Sequence, residues 1–130
     1  MKTKFFYIMA VGIGIFLLFF FVSCFWIGYR VKSQCQNAKL KYGNDCVEAL
    51  INQFKNENEG FRERNNAIWA LGQIGNSQAL SVLQNYYTGN VPDREPLDEM
   101  ISQYELKKAI NLINGGINIS AFVWRGFLDE

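Results

Sequence analysis

The sequence predicts an all-α protein, with one N-terminal transmembrane helix and a small domain of short helices behind it. The first observation is an uncharged run of 23 residues, Phe5–Ile27. The second is that apolar residues beyond this run recur at helical spacing in several successive segments, which predicts helices with one buried face. Polar turns separate these segments, and 130 residues leave room for one small domain.

The uncharged run is predicted to be a membrane anchor within residues 1–32. At ~1.5 Å per residue its helix is roughly 35 Å long, enough to cross a hydrocarbon core of about 30 Å. Ser23 is its only conventional polar side chain. Aromatic and basic residues, which favour membrane interfaces, lie at its two ends: Tyr7, Trp26 and Tyr29, with Lys2, Lys4, Arg30 and Lys32.

An N-terminal apolar run can also be a cleaved signal peptide or the leader of a lipoprotein. A cleaved signal peptide has an apolar core of roughly 7–15 residues and a small-residue cleavage site, whereas this run is longer and has no such site. A lipoprotein would carry its lipid on Cys24, after Ser23, but "FWIG" follows that cysteine and continues the apolar run. The uncleaved single-span anchor is therefore the preferred interpretation.

Composition excludes several classes of function. From Ser33 onward the chain carries nine basic and twelve acidic residues, a net charge of −3, which disfavours nucleic-acid binding. The chain has no histidine, so Ser-His-Asp triads, Cys-His pairs and His-based metal sites are excluded. Cys35 and Cys46 lack CxxC spacing. We therefore expect no enzymatic activity, no catalytic residue, no cofactor and no metal ligand.

Two helices are predicted directly after the anchor. The first continues the membrane helix as far as Tyr42, and Gly43 suits the position just past its C-terminus. The second starts with Asp45 as N-cap and Glu48 three residues later, the spacing of a capping box. Its apolar face repeats at helical spacing in Val47, Leu50, Ile51 and Phe54.

The third and fourth helices are predicted to form a pair. The third covers Arg62–Ile74 and ends at Gly75, and either Asn76 or Ser77 caps the fourth. The apolar face of the third helix comprises Ala67, Ala70, Leu71 and Ile74, and that of the fourth comprises Ala79, Val82, Leu83, Tyr86 and Tyr87.

A loop, a fifth helix and a tail complete the chain. Residues 88–96 contain both prolines and predict a loop, after which Pro96 suits the first helical position. Asp98 and Glu99 would then lie in the first turn of the fifth helix, which stops at residues 114–116. For the tail from Ile117 we expect a strand-like or extended cap over the last helix, with a segment resting on the bilayer surface as the alternative.

The third and fourth helices carry a recognisable pattern. Its positions match the pattern from residue 64 to residue 83 without an insertion or deletion. They are Arg64, Ala67, Ala70, Leu71, Gly72, Ile74, Gly75, Ala79 and Leu83. The pattern resembles the short bacterial-type HEAT-like repeat. Ile68 and Asn76 depart from it, standing where Ala and Asp are usual. The resemblance implies a short α-solenoid of helical hairpins at residues 33–114, with residues 115–130 as a capping segment.

Two glycines of the pattern have a physical explanation. Gly72 costs ~1 kcal/mol inside a helix relative to Ala, and close approach of the paired helix would compensate for that cost. Gly75 permits the positive φ that a sharp turn requires.

The resemblance implies a non-catalytic scaffold or adaptor that binds a protein partner at the membrane. We place the contact surface at Arg62, Arg64, Asn65 and Trp69, with packing in the core as the alternative for Trp69. Two other functions stay open: an accessory subunit stabilising a larger membrane complex, and an accessory enzyme similar to the bilin lyases that share this repeat.

Membrane topology and a disulfide between Cys35 and Cys46 are linked predictions. Lysines and arginines after the span favour a cytosolic domain, whereas the very short "MKTK" start favours the extracytoplasmic side, which we prefer. With a first helix ending at Tyr42, Cys35 would lie roughly 12 Å behind the turn. A bridge needs Cα atoms within about 7 Å, so we expect pairing only if that helix breaks early.

Overall fold

The protein is entirely helical over the residues that the computed structural model describes, 1–43 and 45–128. Six α-helices and one 3-10 turn succeed one another: α1 Lys2–Tyr42, α2 Cys46–Lys55, α3 Phe61–Ile74, the 3-10 turn Ser77–Ala79, α4 Leu80–Tyr86, α5 Gln103–Ile113 and α6 Ile119–Leu128. This confirms the predicted all-α class. Two compact units result, one of Met1–Tyr29 with α6 and one of Arg30–Asn118. The predicted boundaries at residues 32 and 114 stay predictions.

α1 is one continuous helix of 41 residues, as expected for an anchor that runs on into the domain. Its apolar part is long and apolar enough to cross a membrane, and only 6% of the most hydrophobic stretch is buried inside the protein. A signal sequence near an N-terminus meets the same criteria. Gly43, at φ 69°, follows the last turn, and its amide donates to the carbonyl of Lys39.

The core of the Arg30–Asn118 unit is built from one face of each of its helices. α3 packs against both α2 and α5, and α4 packs against α5. The largest fully buried apolar side chains are Leu50, Phe54, Ile68, Leu71, Leu83 and Leu106. α3 is therefore the central helix, and its neighbours are arranged by their contacts with it.

The start of α2, the end of α3 and the start of the 3-10 turn follow local sequence signals. The carboxylate of Asp45 accepts from the amide of Glu48, and the side chain of Asn76 accepts from the amide of Gln78. Gly75 closes α3 in the left-handed conformation at φ 73°. The ends at Asp45 and Gly75 were predicted from neighbouring residues. The predicted cap of the fourth helix at Asn76 belongs instead to the 3-10 turn, since α4 begins at Leu80 and its N-cap residue, Ala79, makes no side-chain hydrogen bond.

The predicted start of α5 at Pro96 is wrong, because the helix begins at Gln103. Ser102 is the N-cap, and its hydroxyl accepts from the amide of Glu105. The carboxylate of Glu95 also accepts from the amides of Gln103 and Tyr104. A carboxylate from the preceding loop thus accepts the hydrogen bonds of the first amides of the helix. The helix therefore begins seven residues after Pro96.

The tail is a helix, α6, so the predicted strand-like or extended segment is wrong. Ala121 and Trp124 are buried at i, i+3 spacing, which is one face of a helix. Ile117 and Ile119, whose alternation with Ala121 suggested an extended chain, are exposed.

Candidate interaction surface

Gly72 sets the distance between α3 and α5. A Cβ atom at this position would lie 2.8 Å from Cα and 2.9 Å from Cβ of Ala109, in the middle of α5. The expected close approach therefore exists, but its partner is α5 rather than the paired helix α4. Because the contacting atoms include backbone of Ala109, only glycine fits without moving a helix.

Arg64 is buried and stabilises the connection from α2 to α3. It is 6% exposed, and its Nε donates to the carbonyl of Phe54 at 2.8 Å. That carbonyl belongs to the last turn of α2, where a cation also interacts favourably with the helix dipole. The guanidinium carbon lies 5.9 Å from the ring centroids of both Phe54 and Phe61.

Asn65 is buried as well, and it organises the turn before α5. Its Oδ1 accepts from the amide of Ser102 at 2.8 Å, and its Nδ2 donates to the carbonyls of Leu97 and Met100 at 3.0 and 2.9 Å. Arg64 and Asn65 thus form internal contacts and cannot belong to an exposed contact face. We withdraw both from the predicted surface.

Arg62 and Trp69, the other two predicted contact residues, occupy different surroundings. Arg62 is exposed and forms a two-pronged ion pair with Asp98, with Nε–Oδ1 at 2.7 Å and Nη2–Oδ2 at 3.0 Å. This pair lowers the pKa of the Asp98 carboxyl. Trp69 is half-buried against the core, and the guanidinium of Arg30 lies 5.1 Å from its ring centroid. A partner contact at Arg62 or Trp69 stays a prediction.

A polar cluster ties the end of α1 to the turn between α2 and α3. The hydroxyl of Tyr42 donates to Glu59 at 2.7 Å and accepts from Asn56 at 2.8 Å, while Lys41 forms an ion pair with Glu59. The hydrogen bonds from Lys41 and then Tyr42 hold the pKa of Glu59 below its ordinary value. Burial and the bond to Glu59 raise the pKa of Tyr42.

Cys35 and Cys46 form a disulfide that joins α1 to α2, with their Cα atoms 5.1 Å apart. The expectation that α1 must break early to permit this is wrong, because α1 is intact to Tyr42. Between Tyr42 and Cys46 the chain makes four Cα steps, which span up to roughly 13 Å. This length is sufficient for Cys46 to reach Cys35, which lies seven residues, or about 10 Å, before Tyr42 on α1.

An open groove of about 670 Å³ lies on the outer side of α5. It is lined by Tyr87, Val91, Tyr104, Lys107, Lys108, Ile110, Asn111 and Asn114. Tyr104, Lys107 and Asn111 repeat at i, i+3, i+7, so they share one helix face, which is opposite the buried Leu106 and Ala109. The groove thus combines apolar side chains, amide groups and two exposed lysines.

The charge of the groove is locally positive in an otherwise acidic domain. Lys107 and Lys108 are both exposed. The neighbouring carboxyl, Glu105, is half-buried, and burial raises its pKa. Among the described residues, no three Cys, Asp or Glu side chains are grouped so that they would hold a metal ion. The arrangement suits binding of an acidic surface by contact.

Comparison with known proteins identifies the centre of the domain. A family model, the PBS lyase HEAT-like repeat, matches residues 63–88, which cover nearly all of α3 together with the 3-10 turn and α4. The chain contains a HEAT-like repeat. Neither the curated proteins nor the solved structures give a match to the chain. Helices of this repeat type commonly mediate protein interaction, which agrees with a protein partner of unknown identity.

Sequence reasoning missed the groove, although one signal for it was present. The resemblance to the HEAT-like repeat covers α3 and α4 only, and the predicted contact surface was accordingly placed on α3. On α5, the face with Tyr104, Lys107 and Asn111 has an aromatic ring, a charge and an amide in helical register. That periodicity is visible in the sequence. The opposite wall of the groove, however, is formed by Tyr87 and Val91, whose position depends on tertiary contacts.

Proposed function

We propose that this HEAT-like repeat protein is a membrane-anchored, non-catalytic interaction module whose contact surface is the groove on α5. In the proposed short solenoid, the last thirteen residues of α1 would pair with α2, α3 would pair with α4, and α5 would be the first helix of a third pair. The single observation that carries the proposal is that α5 packs on α3 and α4 by one face and leaves the opposite face lining the groove. Solenoid repeats bury their faces by stacking on neighbours.

The proposed occupant is an amphipathic helix of a partner protein that carries acidic side chains. Such a helix would take the stacking position next to α5, with apolar residues against Tyr104 and Ile110. Its carboxylates would pair with Lys107 and Lys108. Helix-in-groove binding uses this combination of apolar anchors and complementary charge.

Crosslinking inside native membranes tests the occupant. A photoreactive amino acid replaces Asn111, which is exposed in the groove, and mass spectrometry identifies the crosslinked segment. We expect a partner segment with helical periodicity and acidic residues. The double variant Lys107→Glu, Lys108→Glu should abolish the crosslink, and reversing the charge of the partner's acidic residues should restore it.

The matched control is Lys39→Glu, which reverses an exposed lysine on α1, outside the groove. In this control variant the crosslink should form in the same yield as in the parent protein. Crosslinks only to a second copy of this chain, or a yield that Lys107→Glu, Lys108→Glu leaves unchanged, would contradict the proposal. Degradation of the protein without its partner, cured by co-expression, would instead favour a subunit that stabilises a larger membrane complex.

The domain is proposed to face the extracytoplasmic side. The disulfide between Cys35 and Cys46 supports this side, since such bonds persist in oxidising compartments and are rare in the cytosol. A fusion of alkaline phosphatase, which is active only after export, behind residue 130 tests it in a bacterial host. High activity supports the proposed side, and an intact but inactive fusion places the domain in the cytosol.

The bilin-lyase alternative is proposed only as a lesser function. Its sole support is the description of the matching family, the PBS lyase HEAT-like repeat. Pigment that stays bound to the purified chain after co-expression with a bilin would favour it.

A further inference from the structure

α6 has the composition of a membrane segment. Its ten residues, ISAFVWRGFL, include one charge, Arg125. The structure groups it with Met1–Tyr29, the part of α1 that contains the proposed membrane span, into one compact unit. Within this unit Cys24, Ala121 and Trp124 are buried, with 2%, 1% and 7% of their surfaces exposed. One face of α6 therefore packs within the anchor unit.

The other face of α6 is apolar too. Phe122 is 86% exposed and Ile119 is 61% exposed, and Ile117, just before the helix, is 90% exposed. A helix with apolar residues around most of its circumference is stable where protein or lipid covers all of it. Ten residues make a helix of roughly 15 Å, about half the thickness of the hydrocarbon core, so α6 is too short to span.

Arg125 indicates which cover fits. The guanidinium of Arg125 lies 5.6 Å from the centroid of the Trp124 ring. Arginine is favoured at membrane interfaces, where its aliphatic part lies in apolar surroundings and lipid phosphate oxygens pair with its charge.

We propose that α6 is a second membrane contact, lying in the lipid interface beside the anchor helix. Phe122 and Ile119 enter the boundary of the acyl chains. Arg125 lies at the level of the lipid phosphates. This inference rests on the proposed anchor, and it adds a lipid-binding surface from the opposite end of the sequence.

The test uses the full chain in vesicles of phosphatidylcholine and phosphatidylglycerol. The environment-sensitive dye NBD is attached to Phe122→Cys in a Cys24→Ala background, which removes the free native thiol, while Cys35 and Cys46 are protected by their disulfide. The matched control is Leu40→Cys, an exposed apolar position on α1 in the other compact unit, 87% exposed in the parent protein. Each sample is quenched by doxyl-labelled lipid and, separately, by aqueous iodide.

We expect the dye at position 122 to be quenched several-fold more by doxyl lipid than the dye at position 40, and several-fold less by iodide. Iodide quenching at position 122 equal to that at position 40, in chains that float with the vesicles, would overturn the lipid contact and leave the anchor intact. Protection of the dye from iodide that disappears when the protein-to-lipid ratio is lowered would also overturn the lipid contact, since a second copy of the chain would then cover α6. Chains that fail to float would overturn both the anchor and this inference.

Discussion

The contact between Gly72 and Ala109 makes the sharpest test of the packing, through the variant Gly72→Ala. The added Cβ would lie 2.8 Å from Cα and 2.9 Å from Cβ of Ala109, whereas apolar carbons pack at about 3.5–4.0 Å. At least about 0.7 Å must therefore be recovered by moving α5 away from α3. The cost of such overpacking is about 1–3 kcal/mol, and backbone contact atoms place it in the upper part of that range.

Helix propensity acts in the opposite direction. Replacing a helical glycine with alanine gains about 1 kcal/mol, so the net loss of unfolding free energy at Gly72 should be about 1–2 kcal/mol. The double variant with Ala109→Gly should recover only part of this loss, because it removes the 2.9 Å contact and keeps the 2.8 Å contact.

The assay is urea unfolding of the full chain in detergent micelles, followed by the emission of Trp69. A Trp26→Phe, Trp124→Phe background removes the other two tryptophans from the signal. The matched control is Gly126→Ala, a helical glycine in α6 whose added Cβ meets nothing within 4 Å. The control should not lower the midpoint. If Gly72→Ala unfolds at the same urea concentration as its parent, or at a higher one, the close crossing of α3 and α5 is refuted.

Three further outcomes are expected in the same assay. Replacing Cys35 with serine opens a bridge to Cys46 that closes a short loop, so unfolding free energy should fall by about 3 kcal/mol, whereas equal midpoints would argue against the bond. Asn65→Asp keeps the acceptor for the amide of Ser102 but sets a carboxylate oxygen against the carbonyls of Leu97 and Met100, so it should lower the unfolding free energy by at least about 2 kcal/mol. A neutral result would contradict these internal contacts. The folded pKa of Glu59 lies below its unfolded value of about 4.3, so its stabilisation is present above pH 4.3 and lost as pH falls through the folded pKa. The midpoint of Glu59→Gln should therefore fall less on acidification than that of the parent, and parallel pH profiles would refute this.

The sequence predicted the elements whose signals are local. The continuous α1, the Asp45 cap, the extent of α3 and the turn at Gly75 all depend on residues within one or two helical turns. Helical periodicity and capping preferences are properties of neighbouring residues, so a single sequence is sufficient to locate these helices.

Other features required residues far apart in the chain. α5 begins at Gln103 because Glu95 and Asn65 hold the preceding turn. Arg64 is charged, and charged side chains usually lie at the surface. It is buried here because its Nε donates a hydrogen bond to the carbonyl of Phe54, in the last turn of α2. The candidate contact surface lies on α5 rather than on α3 for the same reason, since the groove exists only where a loop packs beside α5.

The sequence by itself thus determined an apolar helix of membrane length, a set of amphipathic helices and one HEAT-like repeat. Only the tertiary structure decided that Gly72 faces Ala109, that Cys35 reaches Cys46, and that α6 is grouped with the apolar part of α1. The physical reason is that periodicity states which face of a helix is buried but not which helix covers it. That choice depends on shape and on hydrogen bonds between distant residues.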